Sequence, residues 1–291
     1  MNRPLFSRRE CGGRLCISGG LSMSLITHEE NALVYFTSPL LDGCEGIAHG
    51  FSTRKGGVSK SPYDTLNLAP SRGGDPAAVE ENYRRFCAAV GTDMHRVVLA
   101  QQVHETTVLQ VTEEQAGMGL WRDRDYTADA LVTNVKNLPL TVFSADCGII
   151  LLHDPDAGCV GAVHAGWRGC AAGILEKAVR EMERLYGAKA NRILAAIGPC
   201  IGQCCFETDG DVPQAMTAAL GADAAPYLED RGAKWHVDLA GLTRQWLLRA
   251  GVGPEHIDVS ELCTYCRSDL FWSYRKVGGR RGAQIAMISL R

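Results

Sequence analysis

Six short β-like runs follow one another between Arg96 and His164 with no helical period between them: Arg96–Gln102, Thr106–Val111, Ala130–Thr133, Leu140–Phe143, Ile149–Leu152 and Val160–His164. Antiparallel neighbours in a sheet need only a short turn, whereas parallel neighbours need a crossover, usually a helix. A simple repeat of strand, helix and strand is therefore excluded. The expected fold is α/β in the broad sense (α+β), with layered mixed β-sheets flanked by helices. Further β-like runs lie at Ile193–Ile197, Ile257–Glu261 and Gln284–Ser289.

Three helices are legible. Asp75 is an N-cap and Pro76 a first helical residue, Val79, Tyr83, Phe86 and Val90 follow at helical spacing, and Gly91 stops the run. A second helix is expected from near Gly169 to Gly187 on the stripe Ala171, Ile174, Leu175, Ala178, Met182 and Leu185. The third follows Asp238, buries Leu239, Leu242 and Trp246, and closes at Gly251. The turn-rich stretch Thr53–Pro76 reads as a long functional loop.

Residues 1–22, rich in Arg, Gly and Ser and without a period, read as a disordered extension; residues 23–291 read as a single catalytic domain. A net charge of −3 excludes the basic footprint of a general nucleic-acid binder. No apolar run approaches the roughly 18 residues needed to cross a bilayer. Twelve cysteines in a long chain with ample core material, and no signal-like apolar stretch after Arg3, Arg8 and Arg9, point to a cytoplasmic protein with reduced thiols. Oligomeric state leaves no mark on the sequence, and a monomer is compatible with every reading below.

Phosphate-loop, nucleophile-elbow and H-E-x-x-H signatures are absent. A zinc-deaminase pattern fails because Pro199-Cys200 is followed by Cys204, one residue too late. What remains are polar residues where β-like runs end: His104, Asp146-Cys147 and His164. Two imidazoles and a thiolate form an N/N/S set suited to zinc with one position open. Their separations of 43 and 17 residues are not those of a local zinc motif, and apolar-flanked His and Cys are commonly just packed.

Several segments carry a resemblance, in order along the chain: His49–Ser59 with Asn67-Leu68 after it, Gln102-Val103-His104, Ala128-Asp129-Ala130, Ala145-Asp146-Cys147, Val163–Gly169, Gly198–Gly202 and Phe271–Arg275. Together they resemble the YfiH family, also called the laccase-domain or polyphenol-oxidase-like family, from about Gly46 onward. The resemblance implies a layered fold shared with cysteine hydrolases, and zinc on His104, Cys147 and His164. It further implies cleavage of adenosine, inosine and methylthioadenosine by phosphate, with deamination of adenosine beside it. Purine nucleosides and phosphate are then the partners, with neither nucleic acid nor membrane. The family's older label, copper-dependent polyphenol oxidase, keeps copper as the alternative metal. A conventional multicopper oxidase needs several His-x-His pairs. None of the eight histidines here lies two residues from another, so only single-site copper chemistry stays open.

Phosphorolysis needs a cationic hold on phosphate while positive charge builds on the ribose. Arg54 and Lys55, beside Gly56-Gly57, and Arg168, four residues after His164, are candidates for that hold, and Asn67 is a candidate substrate contact. For deamination, zinc with an open position lowers the pKa of water, and Asp146 could orient a ligand or move a proton. Cys147 has a rival role as a nucleophile, in a thiol hydrolase acting on an amide such as a cell-wall precursor.

Near the end the family often has Thr-Gly-Arg, whereas this chain has Arg281-Gly282-Ala283-Gln284; if that arginine helps bind substrate, either Arg280 or Arg281 substitutes or specificity differs. The remaining group, Cys200, Cys204 and Cys205 with Cys263 and Cys266, has the wrong ligand spacing in its first half. Its members are read as packing residues rather than a second metal or iron–sulfur site.

Overall fold

The computed structural model describes residues 25–70 and 73–291; the expected extension over residues 1–22 lies outside the described residues. The apolar runs become two six-stranded mixed sheets stacked face to face. The first orders β1 (Ile26–Glu30), β2 (Leu33–Thr37), β3 (Ile47–Ser52), β15 (Gln284–Leu290), β7 (Leu140–Ser144) and β4 (Val98–Leu99). The second orders β14 (Ile257–Val259), β10 (Leu194–Ile197), β8 (Gly148–Asp154), β9 (Cys159–Ala165), β6 (Ala130–Thr133) and β5 (Val108–Gln110). A small third sheet orders β11 (Glu207–Thr208), β13 (Trp235–Val237) and β12 (Leu228–Asp230). The pairs β4–β7, β5–β6 and β10–β14 are parallel, so both large sheets are mixed, as expected.

Strand alternation divides the core into layers. Phe51, Val142 and Ile288 of the first sheet meet Ile149, Leu151 and Ala162 of the second in one buried cluster. Their neighbours Ile150, Leu152 and Val163 face the other way, against Leu175 and Val179 of α4 (Ile174–Tyr186) and Leu242 of α6 (Leu239–Ala250). On the far side, Phe143, Ile285 and Met287 pack on Tyr83 and Phe86 of α2 (Pro76–Val90). Strands buried on both faces lose the polar alternation of a half-exposed strand. Hence β8 is buried at every residue.

Helix α2 begins as the sequence implies: the Asp75 carboxylate accepts from Ala77 N at 3.0 Å and Gly91 closes it in a left-handed conformation. The expected second helix is instead two, α3 (Trp167–Ala171) and α4. They part at Gly173, whose φ is +76° and where a Cβ would stand 3.2 Å from the Trp246 ring. A helix running straight through would lose that packing. The short helices α1 (Pro39–Asp42) and α7 (Tyr274–Val277), the helix α5 (Asp211–Leu220), and strands β1 to β3 and β11 to β13 carry no expectation from the sequence.

Two connections position the site. Ala145, Asp146 and Cys147 carry the chain from β7 in one sheet to β8 in the other. Residues 100–107 form a loop between β4 and β5, so His104 does not close a strand as expected. Its neighbourhood has left the ladder because the amides of residues 103–105 turn to a carboxylate.

Candidate active site

The crossing between the sheets is held in an uncommon shape. Asp146 has φ +98°, a conformation costly for a residue with a side chain, and its surroundings over-determine it. Its carboxylate accepts from Thr264 Oγ1 at 2.6 Å and from Arg275 N at 2.7 Å, and its carbonyl accepts from Ile201 N at 2.9 Å. Ser144 Oγ donates to the Cys147 carbonyl at 2.7 Å. These contacts fix the turn that presents the Cys147 thiol; both Asp146 oxygens serve the scaffold.

The second support is Asp129, fully buried just before β6. It accepts from the backbone amides of Val103, His104 and Glu105, each at 3.0 Å, and from His164 Nδ1 at 2.8 Å. One carboxylate thus holds the His104 loop, where His104 has φ +64°, and fixes the tautomer of His164 at the end of β9. Sequence reasoning noted Asp129 only within a matched segment. The signal was available: a carboxylate entering an apolar strand has to be paired.

The donor atoms of His104, Cys147 and His164 lie within 4.8 Å of one another, with Cys147 Sγ 3.9 Å from His104 Nε2. The two imidazole rings stand nearly perpendicular with centroids 4.9 Å apart. Gly166 allows this approach: a Cβ there would sit 2.8 Å from His104 Cδ2 and 3.3 Å from Cys147 Sγ.

Burial opposes charge on Cys147, but the His164 charge and hydrogen bonds from both imidazoles outweigh it, bringing the thiol from 9.0 down to about 6. Burial likewise opposes charge on His164, while Cys147 and Asp129 outweigh it and raise the imidazole from 6.5 to about 9. Without a metal the two pair as thiolate and imidazolium. The donors fit a zinc ion: one thiolate, two imidazoles, a position left over, and a carboxylate on the outer nitrogen of His164.

A cavity of about 50 Å³ opens onto the three donors, lined also by Gln102, Ser144 and Arg281. Arg281 is buried there, with its guanidinium 5.1 Å from the Tyr274 ring, while Arg280 is exposed. Of the two arginines beside the departure from Thr-Gly-Arg, Arg281 and not Arg280 lines the cavity.

Other sequence candidates stand elsewhere. The Arg54 guanidinium donates to Asp64 O and Ser268 O and lies 4.1 Å over Trp272, pinning its loop, and Lys55 is exposed. Asn67 is buried, accepting from Ala69 N and Ala283 N and donating to Gly73 O. Arg168 is exposed and lies over Trp167. None of these four lines the cavity. Glycine-rich composition beside Arg54 suggested an anion loop, but its backbone is turned toward its own neighbours.

Among the described cysteines no disulfide forms. Four that spacing had set aside, Cys204, Cys205, Cys263 and Cys266, converge on one point.

A two-sheet α+β chain with a His/Cys/His centre at the crossing between its sheets is the class this geometry defines. The chain belongs to the family described as multi-copper polyphenol oxidoreductase laccase, whose profile matches residues 48–291. Purine nucleoside phosphorylase YfiH of Escherichia coli is 38% identical over 246 residues, covering 84% of this chain and 95% of that protein. Purine nucleoside phosphorylase YlmD of Geobacillus stearothermophilus is 35% identical over 252 residues, covering 84% and 91%. The crystal structure of that organism's YlmD superposes with a TM-score of 0.84 at 33% identity, over 91% of this chain and 98% of that one. The Bacillus licheniformis YfiH structure gives 0.85 at 29% identity, over 91% and 99%. Among the described residues no helix is long and apolar enough to cross a membrane.

Proposed function

We propose that this protein is a zinc-dependent purine nucleoside phosphorylase, converting adenosine, inosine or methylthioadenosine and phosphate to the free base and the sugar 1-phosphate, with adenosine deamination as a side activity. It acts in the cytoplasm, with residues 23–291 as one catalytic domain. The observation that carries the reading is the buried Arg281 in the same small cavity as His104, Cys147 and His164; relatives named purine nucleoside phosphorylases support it.

A guanidinium away from bulk water holds a phosphate more firmly than a surface cation does. At about 50 Å³ the cavity suits a phosphate-sized group and not a nucleoside, so the sugar and base lie across its mouth. Arg281 anchors the phosphate against the anomeric carbon. His104, the exposed member of the trio, faces the departing base. A zinc ion held by the three donors would supply Lewis-acid chemistry for that departure and for the water consumed in deamination. Asp146 and Asp129 position the ligands, and Arg54 and Asn67 hold the loop around residues 53–75.

A second reading has its own observation. Asp129, His164 and Cys147 form a carboxylate–imidazole–thiol relay of the kind that activates a cysteine nucleophile for amide hydrolysis. Copper-dependent phenol oxidation has weaker support, since the paired histidines of multicopper centres are absent from the sequence. Incubation with adenosine and phosphate, with zinc measured on the same sample, tests the first reading. Phosphate-dependent release of adenine, lost in His164→Ala, is expected. No adenine, with amide turnover abolished by alkylating Cys147 in metal-free protein, would overturn it for the hydrolase. Phenol oxidation on adding copper would overturn it for the oxidase.

A further inference from the structure

We infer a second metal centre: a structural zinc ion held by Cys204, Cys205, Cys263 and Cys266, outside the lining of the cavity and argued from geometry that does not rest on the function proposed above. The four sulfurs all lie within 4.8 Å of one another. Cys266 Sγ stands 3.3 Å from Cys205 Sγ and 3.7 Å from Cys204 Sγ. A tetrahedral ion with Zn–S bonds of about 2.3 Å puts its sulfurs about 3.8 Å apart, and these separations lie at or a little inside that spacing. An iron–sulfur cluster would spread the thiolates wider, because two or four irons lie between them. A disulfide would bring two sulfurs to about 2.05 Å, and no described pair is joined.

The surroundings are built for thiolates. Gly202 N donates to Cys263 Sγ at 3.3 Å. A side chain at Gly202 would intrude on the group, since its Cβ would stand 3.3 Å from Cys204 Sγ and 3.5 Å from Cys263 Sγ. Cys263-Thr264-Tyr265-Cys266 is a C-x-x-C turn, closed by Arg267 N to Cys263 O at 2.9 Å. On the other loop, Cys205 N and Phe206 N both donate to Gly202 O, a tight turn that carries the adjacent pair Cys204-Cys205. Four thiolates leave no open position, so the ion is structural rather than catalytic.

Its role follows from what the two loops hold. One follows β10 and supplies Ile201 N to the Asp146 carbonyl; the other follows β14 and supplies Thr264 Oγ1 to the Asp146 carboxylate. Thr264 N to Cys200 O at 3.0 Å is a direct hydrogen bond between them. An ion joining the loops would lock the support of the strained turn beneath Cys147, which makes these cysteines positioning residues.

Metal analysis of the full chain tests this. Wild-type protein purified with zinc should hold two equivalents, His104→Ala/His164→Ala one, and Cys204→Ser/Cys266→Ser one. Cobalt added to the His104→Ala/His164→Ala protein should give the intense sulfur-to-metal absorption of a four-thiolate tetrahedral site. Should the cysteine double variant fail to fold, a mercurial titrated into His104→Ala/His164→Ala protein should release one zinc as four thiols react. A natively folded His104→Ala/His164→Ala protein without metal, or an intact mass showing Cys205 and Cys266 oxidised to a disulfide in freshly purified protein, would overturn the inference.

Discussion

Asp129→Asn is the substitution that most sharply separates a scaffold carboxylate from one that tunes the site. The amide matches the carboxylate in size but keeps one acceptor oxygen. Asp129 Oδ2 serves the amides of Val103 and Glu105, and Oδ1 serves His104 N and His164 Nδ1. Whichever way the amide turns, its NH2 group confronts two of these four donors. Hydrogen bonds to a charged acceptor contribute about 1.5–3 kcal/mol each, so the loss of two is about 3–6 kcal/mol. For a chain of this size that lowers Tm by about 6–24 °C. If the NH2 group meets His164, the imidazole moves its proton to the nitrogen facing Cys147, the wrong tautomer for ligating a metal. Zinc affinity, measured by competition with a chromophoric chelator, should fall about 10–100-fold. Asp154→Asn is the control. Asp154 is equally buried and accepts from Asp156 N, Ala157 N, Lys189 N and Arg192, at the opposite end of β8 from Cys147. It should lose comparable stability yet keep zinc. An Asp129→Asn protein that melts early but binds zinc as wild type does would refute the tuning role.

Three further predictions follow from the same geometry. In chelator-treated protein, alkylation of Cys147 should rise with a midpoint near pH 6, against 9.0 for an ordinary thiol. The depressed Cys147 loses its stabilising contribution as pH falls through about 6, and the raised His164 loses its own as pH rises through about 9. Between those values the growing Cys147 contribution offsets the His164 loss, so the metal-free protein should lose stability on acidification through about pH 6, and a Tm that stays level there would count against the pair. Arg281→Ala should raise KM for phosphate about 10–100-fold with a smaller change for the nucleoside, and equal losses for both substrates would remove it from the phosphate site. Arg54→Ala should cost about 2–4 kcal/mol of stability, through lost bonds to Asp64 O and Ser268 O, and leave phosphate KM alone. The reverse outcome in thermal melts and kinetics would restore Arg54 as a substrate contact.

Local chemistry made part of this architecture legible. Strands β7 to β10 and β15 announce themselves because burial on both faces demands uninterrupted apolar residues. Helices α2 and α6 do so because Asp75 and Asp238 cap them and Gly91 and Gly251 end them. The break at Gly173 was hidden because Ala171 and Ile174 keep to one stripe across it, and its cause, Trp246, lies on another helix. His104, Cys147 and His164 were visible as polar residues beside apolar runs. Arg281 was visible only as a substitute demanded by the family pattern. The grouping of Cys204 and Cys205 with Cys263 and Cys266 depends on two loops meeting across about sixty residues of chain, which ligand spacing within either loop cannot express. Arg54 misled for the converse reason: glycines beside a cation look like an anion cradle until the loop folds onto its own carbonyls.

Strand β15 occupies the middle of the first sheet, paired with β3 on one side and β7 on the other. The strand that delivers Cys147 thus has as its neighbour the last strand in the chain order, and β3 and β7 do not pair with each other without it. During synthesis, His104, Cys147 and His164 all emerge well before residues 284–290 exist to dock the sheet that spaces them. The nascent chain can offer loose thiols and imidazoles but no preformed trio, so the zinc proposed for the first centre would enter through the cavity mouth of a finished protein.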